Sequence, residues 1–226
     1  MEIQAIIFDF NGVLVDDEPV HFRAFQHSIQ KEGLDLDWEE YCEQYLPYDD
    51  LNLFTHFLKD QDRPISHQDI NRLIQVKSHH YFKAIEQDAP MIQSSIAFVN
   101  NIPSDVALAI ASGAARKEIE FILDRLDLRQ RFSPIISASD VKHGKPNPES
   151  FLKALEGLQR DNPSLERTRT IVIEDSYRGI DSAHQAGMKC VALSTTYPPE
   201  RLAEADLVLK TLEGWSLELL TARLEG

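Results

Sequence analysis

Apolar and polar positions change their rhythm several times along the chain. Ile3, Ala5, Ile6, Ile7 and Phe8 form a nearly unbroken apolar run that stops at Asp9. A run without alternation predicts a strand covered on both faces, as in a parallel sheet. From Asp16 the rhythm becomes helical. Phe22, Phe25, Ile29 and Leu34 approximate one stripe of a helix opened by Asp16-Asp17-Glu18-Pro19, residue types that suit a helix N-terminus. A second helical run carries Trp38, Tyr41, Tyr45, Leu51, Phe54 and Phe57, and Pro64-Ile65-Ser66 breaks it. Ser66 with Asp69 then predicts a capped helix over about residues 67–86. Residues 16–89 hold no strand pattern.

Apolar runs return at Asp105–Ala111, ended by Ser112-Gly113. A helix with Ile119, Ile122, Leu123 and Leu126 follows, then a short strand near Ile135-Ile136 and a turn-rich loop over 142–149. Phe151, Leu152 and Leu155 mark another helix, and the polar stretch 160–168 with Pro163 reads as a surface loop. Thr170–Ile173 is a further buried strand, ended by Glu174-Asp175-Ser176. A helix to Ala186-Gly187 and strands at Cys190–Leu193 and Asp206–Leu209 complete the pattern. Strands alternating with helices predict an α/β fold, a Rossmann-like parallel sheet with helices on both faces. The expected division is an α/β core from 1–15 and 90–226, interrupted by an all-helical insert over 16–89.

Composition narrows the partners. A formal net charge of −14 argues against nucleic acid and anionic membranes, which select basic surfaces. An anionic small molecule stays open, because local cations or a metal can dominate one pocket. No stretch approaches the ~20 apolar residues that span a bilayer. The N-terminus opens directly into a strand, without the basic and apolar segments of an export signal. Cys42 and Cys190 are far apart and outside ligand-like spacing, which reads as two reduced thiols in a cytoplasmic protein.

Four polar clusters stand just after four expected strands: Asp9/Asn11, Ser112-Gly113, Lys145 and Glu174-Asp175. Singly, each has a plain explanation as a turn residue, a helix cap or a solvated lysine. Together, they all fall where open α/β sheets gather their ligands. As an ordered set they resemble motifs one to four of the haloacid dehalogenase-like hydrolase superfamily, whose first motif is usually Asp-x-Asp-Gly-x-x-x-Asp. The resemblance covers essentially the whole chain. It implies that Asp9 is a nucleophile forming an aspartyl-phosphate. Mg²⁺ would be held by Asp9, Asp175, Glu174 (directly or through water) and the main-chain carbonyl of Asn11. Ser112, Gly113 and neighbouring N–H groups would hold phosphoryl oxygens, and Lys145 would neutralise charge on the reacting groups.

Asn11 is where the sequence departs from that motif. The family's second Asp protonates the leaving group and then deprotonates the attacking water, exchanges a carboxamide does not make. Compensation by Asp16, Asp17 or a residue of the helical insert, an introduced trapping substitution, and loss of turnover are three competing explanations. Asn11-Gly12 is also an open site for deamidation.

The helical insert resembles the small α-helical cap of the β-phosphoglucomutase-like and phosphoglycolate phosphatase-like subfamily. Asp16-Asp17-Glu18-Pro19-Val20-His21 matches its Asp-Ser-Glu-Pro-x-His pattern except at Asp17, and the likeness offers His21 as a substrate-binding residue. The corresponding specificity loop, Tyr45 to Asp50, carries Pro47 where mutases carry Gly and lacks a basic residue, which disfavours a second phosphate. The resemblance as a whole implies a Mg²⁺-dependent phosphatase of a small phosphorylated metabolite, working as a monomer or weak homo-oligomer. A phosphosugar mutase and a catalytically silent phosphometabolite binder are the alternatives.

Overall fold

The computed structural model describes residues 2–46, 48–64 and 66–225. The chain forms two compact units, one of Met1–Asp16 with Met91–Gly226 and one of Asp17–Pro90. In the Asp17–Pro90 unit, α1 (Glu18–Gln30) is followed by α2 (Trp38–Glu40), which runs into a π-turn at Tyr41–Tyr45. Then come α3 (Asp50–Asp60) and α4 (His67–Gln87). Phe25, Ile29, Tyr41, Tyr45, Phe54, Phe57, Ile70 and Leu73 are buried together as its core. The expected single run from Trp38 to Phe57 is therefore two helical pieces. Asp49 takes extended backbone and its carboxylate accepts the Asn52 N–H at 2.8 Å, a cap that starts a new helix instead of continuing the old one. Leu51 and Tyr48 stand exposed, Tyr48 stacked on His56. Pro47 and Ile65, on which two of the sequence readings fall, lie outside the described residues. Ser66 caps α4 as its spacing predicts, by accepting the Asp69 N–H.

The other unit holds six parallel strands: β1 (Ala5–Phe8), β2 (Ala107–Ala111), β3 (Ile135–Ile136), β4 (Thr170–Glu174), β5 (Lys189–Leu193) and β6 (Leu207–Leu209). Their order is β3-β2-β1-β4-β5-β6. Its helices are α5 (Gln93–Asn101), α6 (Arg116–Arg125), α7 (Glu149–Asp161), α8 (Tyr177–Gln185) and α9 (Leu217–Glu225). β1 is buried along its whole length, as a strand between two neighbours and two helical layers requires. Phe8 pairs with Ile110 on one side and Ile173 on the other. Asp9, Ala111 and Glu174 therefore stand at one level of the sheet's carboxyl edge. Connections run outward from β1 to β3, then start again at β4 on β1's other flank, and open α/β sheets bind ligands at such a reversal.

Two helices of this unit, α5 and α9, have no counterpart among the elements expected from the sequence. The stretch 160–168 is less loop-like than its polarity suggests, since α7 reaches Asp161 and Leu165 is buried. Among the described residues, no helix is long and apolar enough to cross a membrane.

Candidate active site

Asp9 leaves β1 with its N–H still bonded to the Ile173 carbonyl at 2.8 Å, so the β1–β4 ladder fixes its position. A tight turn follows, in which the Phe10 carbonyl accepts the Leu14 N–H at 2.8 Å. Gly12 sits in that turn at φ +70°, a conformation that costs a side-chain-bearing residue energy. A Cβ at Gly12 would also run into the Asp175 carboxylate and lie 2.9 Å from the Thr196 hydroxyl. Glycine lets the loop after β1 touch the acid after β4. Gly179 does the same from α8, because a Cβ there would occupy the space of the Glu174 carboxylate.

Carboxylate oxygens of Asp9, Glu174 and Asp175 gather within 4.8 Å of one another, all three residues buried. The Lys145 ammonium joins two of them, donating to Asp9 Oδ1 at 2.7 Å and to Glu174 Oε1 at 2.5 Å. Glu174 Oε2 is also occupied, accepting from Asp175 N at 2.8 Å, Ser176 N at 2.9 Å and Ser176 Oγ at 2.9 Å. Asp175 accepts from Thr196 Oγ1 through Oδ2. The Asp9 carboxylate also accepts the Phe10 N–H. The set is one cation against three acids.

Electrostatics reflect that imbalance. Burial and the charge on Glu174 outweigh the help of Lys145 and push Asp9 up to about 6. Burial, then Glu174 and Asp9, hold Asp175 well above the usual carboxylate range. Burial works against the ammonium of Lys145, yet its two carboxylate partners together hold it above the usual lysine range. A small divalent cation coordinated by oxygen is the group that offsets surplus carboxylate charge in so small a space. The donor set fits such an ion.

Lys145 arrives on the turn-rich loop predicted for it, and side chains the sequence reading passed over hold that loop. Arg178 donates to the Lys145 carbonyl through Nε at 3.0 Å and Nη2 at 2.5 Å. Ser182 Oγ donates to the Asn147 carbonyl at 2.9 Å. Glu149 accepts the N–H groups of Lys142 and His143 and the Lys153 ammonium, which depress its carboxyl to about 2. Phe151 lies under the Lys145 ammonium, 4.9 Å from nitrogen to ring centre. The clearest omission is Thr196. It follows β5 by three residues, at the same sheet edge as the four clusters, and that position was the available signal.

Ser112 extends β2, its N–H bonded to the Ile136 carbonyl at 2.9 Å. Its hydroxyl accepts the Ala114 N–H at 3.1 Å and donates to Asn11 Oδ1 at 3.4 Å. Gly113 is exposed beside it with open space around its α-carbon. His21 belongs to the helical unit. There its Nδ1 meets Lys77 Nζ at 3.0 Å, its Nε2 meets Asp17 Oδ2 at 3.3 Å, and its ring stacks on Tyr81 at 4.3 Å. Asp17 precedes α1 without capping it, and its carboxylate accepts the Tyr81 hydroxyl instead.

Comparison with known proteins gives this arrangement relatives. Residues 6–193 match the family model for haloacid dehalogenase-like hydrolases. The chain is 27% identical to a phosphorylated carbohydrates phosphatase from Thermotoga maritima, over 83% of this chain and 83% of that one. It is 28% identical to validoxylamine A 7'-phosphate phosphatase from Streptomyces hygroscopicus subsp. limoneus, over 91% and 92% of the two chains. The fold is similar to β-phosphoglucomutase from Clostridium difficile, with a TM-score of 0.85 at 24% identity, covering 99% of this chain and 97% of that one.

Proposed function

The chain belongs to the haloacid dehalogenase-like hydrolases, and on that premise we propose that it is a Mg²⁺-dependent phosphatase of a small phosphorylated metabolite. The relatives named as a phosphorylated carbohydrates phosphatase and a validoxylamine A 7'-phosphate phosphatase support this class of substrate. The observation that carries the reading is the bridge of Lys145 between Asp9 and Glu174, with Asp175 alongside.

In this reading Asp9 attacks phosphorus and the ester oxygen departs, leaving an aspartyl-phosphate that water then cleaves. Lys145 holds Asp9 in place and offsets charge on the transferring group. Beside Ser112, whose hydroxyl is engaged by Ala114 N–H and Asn11 Oδ1, the exposed Gly113 offers its N–H to a phosphoryl oxygen. Asp9, Asp175 and the main-chain carbonyl of Asn11 would hold Mg²⁺, with Glu174 alongside. The ion supplies charge neutralisation that lets a carboxylate meet a phosphate dianion. Thr196 keeps Asp175 oriented.

Asn11 favours a second reading, a protein that binds a phosphorylated metabolite without turning it over. Phosphate release from a panel of phosphomonoesters with and without Mg²⁺, in the chain and in Asp9→Ala, separates the two. Mg²⁺-dependent release lost in Asp9→Ala supports the phosphatase. Saturable binding of the esters with no release in either chain supports the binder.

A further inference from the structure

The hydrogen bonds around Asn11 say which way its amide faces. Ser112 Oγ accepts the Ala114 N–H at 3.1 Å, so the hydroxyl's own proton is directed elsewhere, and Asn11 Oδ1 lies 3.4 Å away to receive it. A carboxamide whose oxygen accepts from Ser112 presents its nitrogen as the donor end. Such a group hydrogen-bonds an oxygen that is becoming negative, but it transfers no proton to it. Lys145 and Glu174, the nearest groups beyond Asp9 and Asp175, are already engaged. Lys145 is shared between two carboxylates, and Glu174 is fully buried with both oxygens accepting.

We infer that this site is built for phosphoryl compounds whose leaving oxygen is stable as an anion without protonation, the class of acyl, enol and aryl phosphates, and not for alkyl phosphate esters. The inference rests on the reading of Asp9 as nucleophile and departs, on the leaving group alone, from the carbohydrate phosphates in one relative's name. In the first step an Asp9 oxygen forms a bond to phosphorus while the phosphorus–oxygen bond to the leaving group breaks. The electron pair departs with the leaving oxygen as carboxylate, enolate or phenolate, stabilised by the Asn11 amide. In the second step water adds to phosphorus, the bond to Asp9 breaks and the carboxylate is regenerated. The water's proton goes to a phosphate oxygen or to solvent, since Asn11 accepts none. Asp9 leaves without needing an acid, but the water lacks a general base, help worth ~10²–10⁴-fold elsewhere. The phosphoenzyme therefore accumulates.

Rapid-mixing kinetics with Mg²⁺ on aryl phosphates of graded leaving-group acidity, acetyl phosphate and a primary alkyl phosphate test this in the chain as it stands. The expected result has three parts: a burst of leaving group, a burst rate that falls steeply as the leaving group becomes more basic, and a steady-state rate common to the reactive members. Asn11→Asp should flatten the series of first-turnover rates, raising that of the alkyl phosphate by ~10²–10⁴-fold while changing that of acetyl phosphate far less, and should raise the common steady-state rate. A shallow dependence in the unaltered chain, or an alkyl phosphate cleaved as fast as acetyl phosphate, overturns the inference even if Asn11→Asp fails to fold, and leaves the phosphatase standing. No release from any compound by either chain overturns the phosphatase reading, and this inference with it.

Discussion

Each of the two units sets a lysine among carboxylates, and the two clusters are satisfied to different degrees. In the helical unit, Lys77 bonds Asp50 and His21, Tyr41 donates to Glu18 at 2.5 Å, and Tyr81 and His21 both engage Asp17. Every acid there has a donor. In the sheet unit Lys145 serves two acids at once, and a third leans on one threonine. A buried polar network with all its members bonded stabilises and specifies a fold. One with surplus charge costs stability, and proteins keep such sites where a ligand completes them.

The sharpest break between the clusters is to remove each lysine. Lys145→Met should lower kcat/KM for the phosphatase by ~10²–10³-fold, the loss typical of one preorganised electrostatic group. Steady-state phosphate release checks it, and a loss below about tenfold would detach Lys145 from the chemistry. Lys77→Met should instead cost stability, about 3 kcal/mol, because it leaves Asp50 and the His21–Asp17 pair without their shared cation. That is the low end for a broken buried pair, since Asp50 keeps 28% of its side chain exposed. Urea unfolding measures it.

Neutralising an acid should then give opposite signs in the two units. Without divalent cation, Asp175→Asn relieves repulsion among three carboxylates while still accepting from Thr196. A gain of about 0.5–2 kcal/mol is expected, the usual range when a site residue is traded for stability. Tyr81→Phe removes the hydroxyl from fully buried Asp17 and should cost about 1–3 kcal/mol. Unfolding both variants in chelator decides the matter. A loss at Asp175 as large as the loss at Tyr81 would mean that the sheet cluster is an ordinary structural network.

The sheet was legible in the sequence because its strands are contiguous apolar runs and its polar punctuation falls at their ends. Asp9, Lys145, Glu174 and Asp175 could be read as a set for the same reason, since a parallel sheet sends every strand's carboxyl end to one edge. What was not legible depends on contacts distant in sequence. Thr196 is marked only by a loop that folds back on Asp175, and Arg178 only by the carbonyl it holds. The π-turn at Tyr41–Tyr45 and the restart at Asp49 look continuous by periodicity, because a capping aspartate competes with the helix through one local hydrogen bond. α5 and α9, nine residues each, are too short to show a helical period over a usual window.

The smallest effect, and the subtlest separation of the units, is with pH. On the helical unit, the rings of His27 on α1 and His80 on α4 face each other at 3.6 Å between centroids, with His79 beside them. Burial, then His27, Lys31, His79 and Lys83, lower the pKa of His80. A base whose folded pKa is depressed binds its proton more readily when unfolded. Its contribution to stability is therefore present above the ordinary histidine value of about 6.5 and is lost as pH falls through the lower folded value. Asp9 runs the other way. With its carboxyl pushed up to about 6, it favours the fold at low pH, and that contribution is lost as pH rises through about 6. Urea midpoints in chelator from pH 8 to pH 5 (values about the histidine range) should show His80→Gln losing less stability on acidification than the parent chain. Equal losses in the two would mean that the imidazole pair carries its second charge at no cost, and that the helical unit is as indifferent to acid as its completed hydrogen bonds alone would make it.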